Sequence, residues 1–127
     1  MKGMRRIALA FGAAALLALS SSLSPGLARG SETGPAIAKR FVLAANRGDF
    51  RSVCRLYSRT YLKVSQAECQ TLYRWEVDLY GRFDYRIVAR RRLGNGHWYV
   101  ALTRFRGSSF VELARETAGW RIVAGGW

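Results

Sequence analysis

The sequence predicts an α+β fold, with N-terminal helices packed on a four-stranded antiparallel sheet. Two observations carry the prediction. Between Pro35 and Tyr80, apolar residues return at the three-to-four spacing of helices. From Phe83 onward the period falls to two, in four short runs divided by turn residues. A chain of 127 residues can build one domain with its own core.

Residues 1–28 read as an export signal. Lys2, Arg5 and Arg6 precede a nearly unbroken Ala/Leu run, and Pro25-Gly26-Leu27-Ala28 supplies small residues at a cleavage point. The apolar run of about 13 residues falls short of the roughly 20 that span a bilayer, so cleavage is preferred over an uncleaved anchor. No cysteine lies in the signal, which excludes lipid attachment there. Cleavage after Ala28 leaves 99 residues with 18 basic and 8 acidic side chains, a balance of +10. The expected location is periplasm, cell wall or the outside.

After a short lead-in over 29–34, a single domain is expected over 35–127. Pro35 suits the first position of a helix, where its missing N–H costs nothing. Ile37, Ala38, Phe41, Val42 and Ala45 then form an apolar stripe. Gly48 can end that helix in the left-handed conformation and Asp49 can cap the next. The second helix has an inner face of Phe50, Val53, Cys54 and Tyr57, and an outer face of Arg51, Arg55 and Arg59. Ser65-Gln66-Ala67-Glu68 is a capping box for a third helix that Gly81 ends, with Val64 and Cys69 placed as a hydrophobic staple. Phe83, Tyr85, Ile87 and Ala89 alternate as one face of a strand. Asn95-Gly96 signals a hairpin, and the returning strand covers 97–106. Gly107-Ser108-Ser109 reads as the next turn, with strands over 110–116 and 120–124.

Cys54 and Cys69 are the chain's two cysteines, 15 positions apart. In an exported chain such a pair most simply forms a disulfide. The rival readings are a redox site and half a metal site. Redox pairs are usually Cys-x-x-Cys, and a metal needs about four ligands while His97 is the one histidine. No metal or cofactor is therefore expected.

The run AKRFVLAANRGDFRSVCRLYS resembles the first helix pair of the nuclear transport factor 2-like superfamily. The shared features are Phe41, the small face Ala44-Ala45, the Gly48-Asp49 corner, Leu56-Tyr57, and a final strand holding Trp120-Arg121-Ile122. The resemblance covers most of 35–127 and implies a cone, in which a curved sheet wraps helices and leaves a pocket at its open end. It implies that Phe41, Tyr57, Tyr61, Trp75 and Tyr80 line that pocket, with Phe41 near the interior and Tyr57 and Trp75 approaching it. The same aromatics at helical spacing are also what a packed core requires. The superfamily includes ketosteroid isomerases, which need a hydroxyl donor and a carboxylate base. Those positions fall on Phe41 and Ser65 here, so that activity is not carried over.

Other chemistry is thinly supported. Glu112 and Glu116 stand four residues apart on a strand, about 13 Å, which is too far for a glycosidase pair. His97 has no nucleophile beside it in sequence. Ser58, Ser108 and Ser109 sit in turn-like contexts, and no Gly-rich phosphate loop is present. The net charge of +13 is the distinctive bulk feature, with Arg51, Arg55 and Arg59 on one helix and Arg90, Arg91 and Arg92 ending a strand. Such surfaces attract polyanions, although arginines also protect strand edges and aid solubility. The leading expectation is an exported, non-enzymatic domain that binds a small apolar ligand or an envelope partner. An enzyme of the same fold acting on a small apolar substrate is the alternative. A basic adaptor for anionic wall polymer or membrane is a third. Export argues against nucleic acid as a partner, and a homodimer through the sheet is a further expectation.

Overall fold

The computed structural model of the chain describes residues 32–105 and 107–127. The expected export signal lies outside the described residues. Three helices precede a four-stranded antiparallel meander, as the change of period requires. Helix α1 spans Gly34–Asn46 and is capped by Thr33, whose hydroxyl accepts from the Ala36 N–H. It starts one residue before Pro35, which therefore occupies the second position of the first turn. Its stripe of Ile37, Ala38, Phe41, Val42, Ala44 and Ala45 is buried across all four strands. The alanines leave room for the backbones to approach.

Asp49 turns the chain into helix α2, Phe50–Arg55, by accepting from the N–H and hydroxyl of Ser52. These hydrogen bonds hold its carboxyl below the usual carboxylate range. Helix α3, Gln66–Tyr80, opens on the reciprocal Ser65/Glu68 capping box. Ser65 is thus committed to backbone. A disulfide joins Cys54 to Cys69, both fully buried, and ties α2 to the first turns of α3.

The strands are β1 Arg86–Arg92, β2 Trp98–Arg104, β3 Gly107–Glu116 and β4 Gly119–Gly125, in that order across the sheet. Val100, Leu102, Val111, Leu113 and Ile122 face the helices and close the core.

Three expectations for the sheet are corrected. Phe83 and Tyr85 are buried but precede the ladder, because Asn46 pairs with Tyr85 as a strand would. Its amide donates to the Tyr85 carbonyl at 3.0 Å and its carbonyl accepts from the Tyr85 N–H at 2.8 Å. A bulge at Val88 then shifts the register, so Ile87 opposes core residue Leu102 whereas Ala89 opposes Ala101 on the outer face. The expected alternation through Ala89 is thereby broken. Last, Gly107-Ser108-Ser109 is not a turn but the start of β3, since Gly107 already pairs with Arg104. Asp84 accepts the Phe105 N–H at 2.7 Å, and Phe105 takes a left-handed φ of 55°, which moves the reversal upstream.

The outer edge of β4 is covered by the segment that leaves α2. Ile122 donates to the Leu56 carbonyl and accepts from the Ser58 N–H, each at 2.8 Å, in a parallel bridge centred on Tyr57. The arginines of β1 line the opposite edge, where charge discourages pairing with other chains. No helix among the described residues is long and apolar enough to cross a membrane.

Candidate functional site

Among the described residues, the interior between helices and sheet and a groove beside the Tyr57–Ile122 bridge gather the most polar and aromatic side chains.

The interior is an aromatic cluster with hydroxyls at its centre. Phe41 is fully buried and packs on Tyr85, with ring centroids 5.3 Å apart. Phe50, Tyr73 and Phe83 pack on one another, and Phe83 stacks on Tyr85. The Tyr57 and Tyr73 hydroxyls meet at 2.5 Å, and Tyr73 donates to the Gly126 carbonyl at 2.6 Å. Tyr57 and Tyr61 also reach the Gly125 carbonyl, each at 3.4 Å. The segment Gly125-Gly126-Trp127 thus lies among the phenols, with the Trp127 indole stacked on Tyr73 at 4.4 Å and on Tyr57 at 5.9 Å. Gly126 has φ of 90°, and a β-carbon there would fall 1.9 Å from the Tyr57 hydroxyl. Glycine is required by both backbone and space.

Burial pushes the Tyr57 and Tyr73 phenols well above their ordinary range. It pushes Tyr85 up to about 12, with the Glu76 charge adding to the effect and Arg104 opposing it. These groups are neutral donors at any physiological pH. Glu76 forms an ion pair with Arg104, whose guanidinium lies over the Phe83 ring at 4.8 Å and the Phe105 ring at 4.9 Å.

Of the five aromatics expected around a pocket, Phe41 and Tyr57 are interior and Tyr61 is half-buried beside Tyr57. Trp75 and Tyr80 instead point to solvent, 59% and 64% exposed. Helix α3 turns Cys69 and Tyr73 inward, and a residue two positions past Tyr73 falls on the opposite side. Trp75 therefore does not approach Phe41.

The groove has a volume of about 870 Å³ and runs between the end of α2, the segment after it, and the β3–β4 turn. Arg55, Arg59 and Arg121 line it together with Gln66 and Glu116. The bridge explains the convergence: Arg55 and Arg59 flank Tyr57 by two positions, and Arg121 precedes Ile122. Glu116 accepts from the Ser58 hydroxyl at 2.7 Å, and Ser58 is 2% exposed. The Gln66 amide donates to the Cys54 carbonyl at 3.1 Å, fixing the groove's floor next to the disulfide.

The expected basic surface is not one patch. Arg51 is exposed on α2 and does not line the groove, whereas Arg55 and Arg59 do. The arginines of β1 divide between the two sides of the sheet, with Arg91 over the Tyr99 ring on the outer face and Arg92 over Trp98 and Trp120 at the core's rim. Arg90 pairs in register with Val100 and is exposed. His97 lies 2.6 Å from a Glu112 carboxylate oxygen on the outer face, a pairing across 15 positions that spacing alone did not indicate. Among the described residues, no group of three or more His, Cys, Asp or Glu is placed to hold a metal.

Sequence reasoning missed Tyr73, Tyr85 and Gly126 in the interior, and Glu116 and Arg121 in the groove. A glycine pair beside a terminal aromatic was the available signal for the first set. Nothing local signalled the second, which depends on the bridge. No protein-family model matches the chain, and no curated protein matches it. Fold and site together define a small disulfide-bonded α+β domain with an occupied interior and a basic groove.

Proposed function

We propose that this is an exported, non-enzymatic domain of nuclear transport factor 2-like architecture that docks on an anionic envelope polymer through its basic surface. The carrying observation is that the chain's own Gly126 is buried against the Tyr73 hydroxyl, with Trp127 stacked over Tyr57 and Tyr73, in the region where the resemblance implies a pocket. With the interior engaged in this way, the exposed cations become the better candidates for recognition. Among the described residues, Arg51, Arg55, Arg59, Arg90, Arg91, Arg92 and Arg121 form no salt bridge, so no carboxylate neutralises their charge, although Arg91 and Arg92 lie over aromatic rings and Arg121 donates to the Trp120 carbonyl. Phe41 and Ser65 at the isomerase positions support a non-enzymatic role, since one has no hydroxyl and the other caps a helix. A disulfide suits an oxidising compartment outside the cytosol.

A second reading, a small apolar ligand in the interior, requires Trp127 to leave its stack. Its 39% exposure is what favours that reading.

The test is retention of the exported protein on acidic wall polymer and on anionic vesicles over a salt series. Binding that falls steeply as salt rises towards about 0.3 M, where the screening length shortens to about 5–6 Å, is the expected result. Absence of binding to any polyanion at low salt would remove the proposal.

A further inference from the structure

We infer that the groove of Arg55, Arg59 and Arg121 is a binding site for an acidic saccharide unit; this rests on the surface-binding reading above and narrows it. Three guanidiniums supply planar forks that match a carboxylate or phosphate oxygen pair. The lone carboxylate among them supplies the selectivity. Glu116 is held by Ser58, and that hydrogen bond leaves acceptor positions on the carboxylate free. A densely charged anion such as polyphosphate is repelled by this carboxylate, whereas sugar hydroxyls can donate to it. Gln66 and Thr117 add further polar partners along the walls. The ligand that satisfies both demands carries one anionic group and several hydroxyls on each unit.

Size and rigidity agree with that ligand. A groove of about 870 Å³ that is open to solvent has room for a saccharide unit, and its concave shape fits an extended chain better than a flat bilayer. The floor is fixed on three sides: by the bridge to Ile122, by the Gln66 bond to the Cys54 carbonyl, and by the Cys54–Cys69 disulfide. Of the three arginines Arg121 is itself held, its guanidinium donating to the Trp120 carbonyl at 2.9 Å, so less of its freedom is lost on binding.

The experiment is titration calorimetry of the exported protein with oligogalacturonate, a neutral maltooligosaccharide, polyphosphate and phosphatidylserine vesicles. Three variants accompany it: Arg59→Ala with Arg121→Ala, Glu116→Gln, and Arg90→Ala with Arg92→Ala outside the groove, each checked for an unchanged fold by circular dichroism. Oligogalacturonate should bind and the neutral sugar should not. The groove double variant should lose about tenfold or more in affinity, well beyond the loss from the strand double variant. Glu116→Gln should weaken oligogalacturonate but strengthen polyphosphate. Polyphosphate or vesicles binding well while oligogalacturonate does not would overturn the saccharide assignment and leave the surface reading in place. Loss on Arg90→Ala with Arg92→Ala but not on the groove variant would move the site elsewhere. Failure of all three polyanions would remove the surface reading itself.

Discussion

Tyr57 and Ile122 meet as a parallel bridge, and this one pairing both seals the edge of β4 and assembles the groove. It carries the backbone of the post-helix segment alongside a strand 65 positions later in the chain. Arg55 and Arg59 are thereby brought to the side of the sheet where Arg121 stands. The same Tyr57 turns its hydroxyl inward to Tyr73, so interior and groove share a wall.

The disulfide should matter for both stability and binding. Closing a loop of 15 positions stabilises by about 3 kcal/mol in the chain-entropy model. For a domain of this size each kcal/mol moves Tm by about 4–8 °C. Cys54→Ser with Cys69→Ser should therefore lower Tm by at least about 10 °C in calorimetry. The oxidised protein should bind acidic polymer more tightly than the reduced one, because the groove floor loses a tether. Equal melting of the two forms would place the constraint elsewhere.

Gly126→Ala should be among the most damaging single changes in the chain. The added methyl meets the Tyr57 hydroxyl at 1.9 Å and must also accept a φ of 90°. Gly48→Ala serves as the control, since its φ of 79° carries backbone strain but nothing lies within 4 Å. Urea midpoints should show a loss of about 1 kcal/mol for Gly48→Ala and several-fold more for Gly126→Ala. Similar losses at the two sites would mean that the 125–127 segment does not occupy the phenol cluster.

Much of this architecture was legible in the sequence, and the failures have physical causes. Caps and corners are local, so Asp49, Ser65 with Glu68, and the ends of the helices could be read directly. The disulfide follows from the cysteine count together with the expectation of export. The first strand was misread because Asn46, a side chain 39 positions from Tyr85, substitutes for a neighbouring strand. The Val88 bulge is equally invisible to a period-two pattern. The resemblance implies Trp75 and Tyr80 as pocket walls, yet the inward face of α3 is set by Cys69 and Tyr73 and leaves both in solvent. The groove was illegible since its arginines come from two distant segments. Only the bridge brings them together.

The buried phenols predict an alkaline limit to stability. Tyr57, Tyr73 and Tyr85 all titrate higher in the folded protein than in the unfolded chain, where tyrosine ionises near about 10. Below that pH both states hold their protons and the interior contributes in full. As pH rises from about 10 through 12, the unfolded chain ionises first and folding weakens. Denaturant midpoints should hold steady between about pH 7 and 9 and fall beyond 10, with a smaller fall for Tyr85→Phe. A midpoint that stays level to about pH 12 would show the phenols to be solvated.

Where a ligand touches decides between groove and interior, and amide shifts report that residue by residue. A ¹⁵N-labelled sample of the protein would be titrated with oligogalacturonate at low salt. The predicted result is progressive, saturable shifts at Arg55, Arg59, Gln66, Thr117 and Arg121, with Tyr73, Tyr85, Gly126 and the Trp127 indole unmoved. Shifts concentrated at Gly126, Tyr73 and the Trp127 indole, with the groove silent, would contradict it and make the interior the binding site.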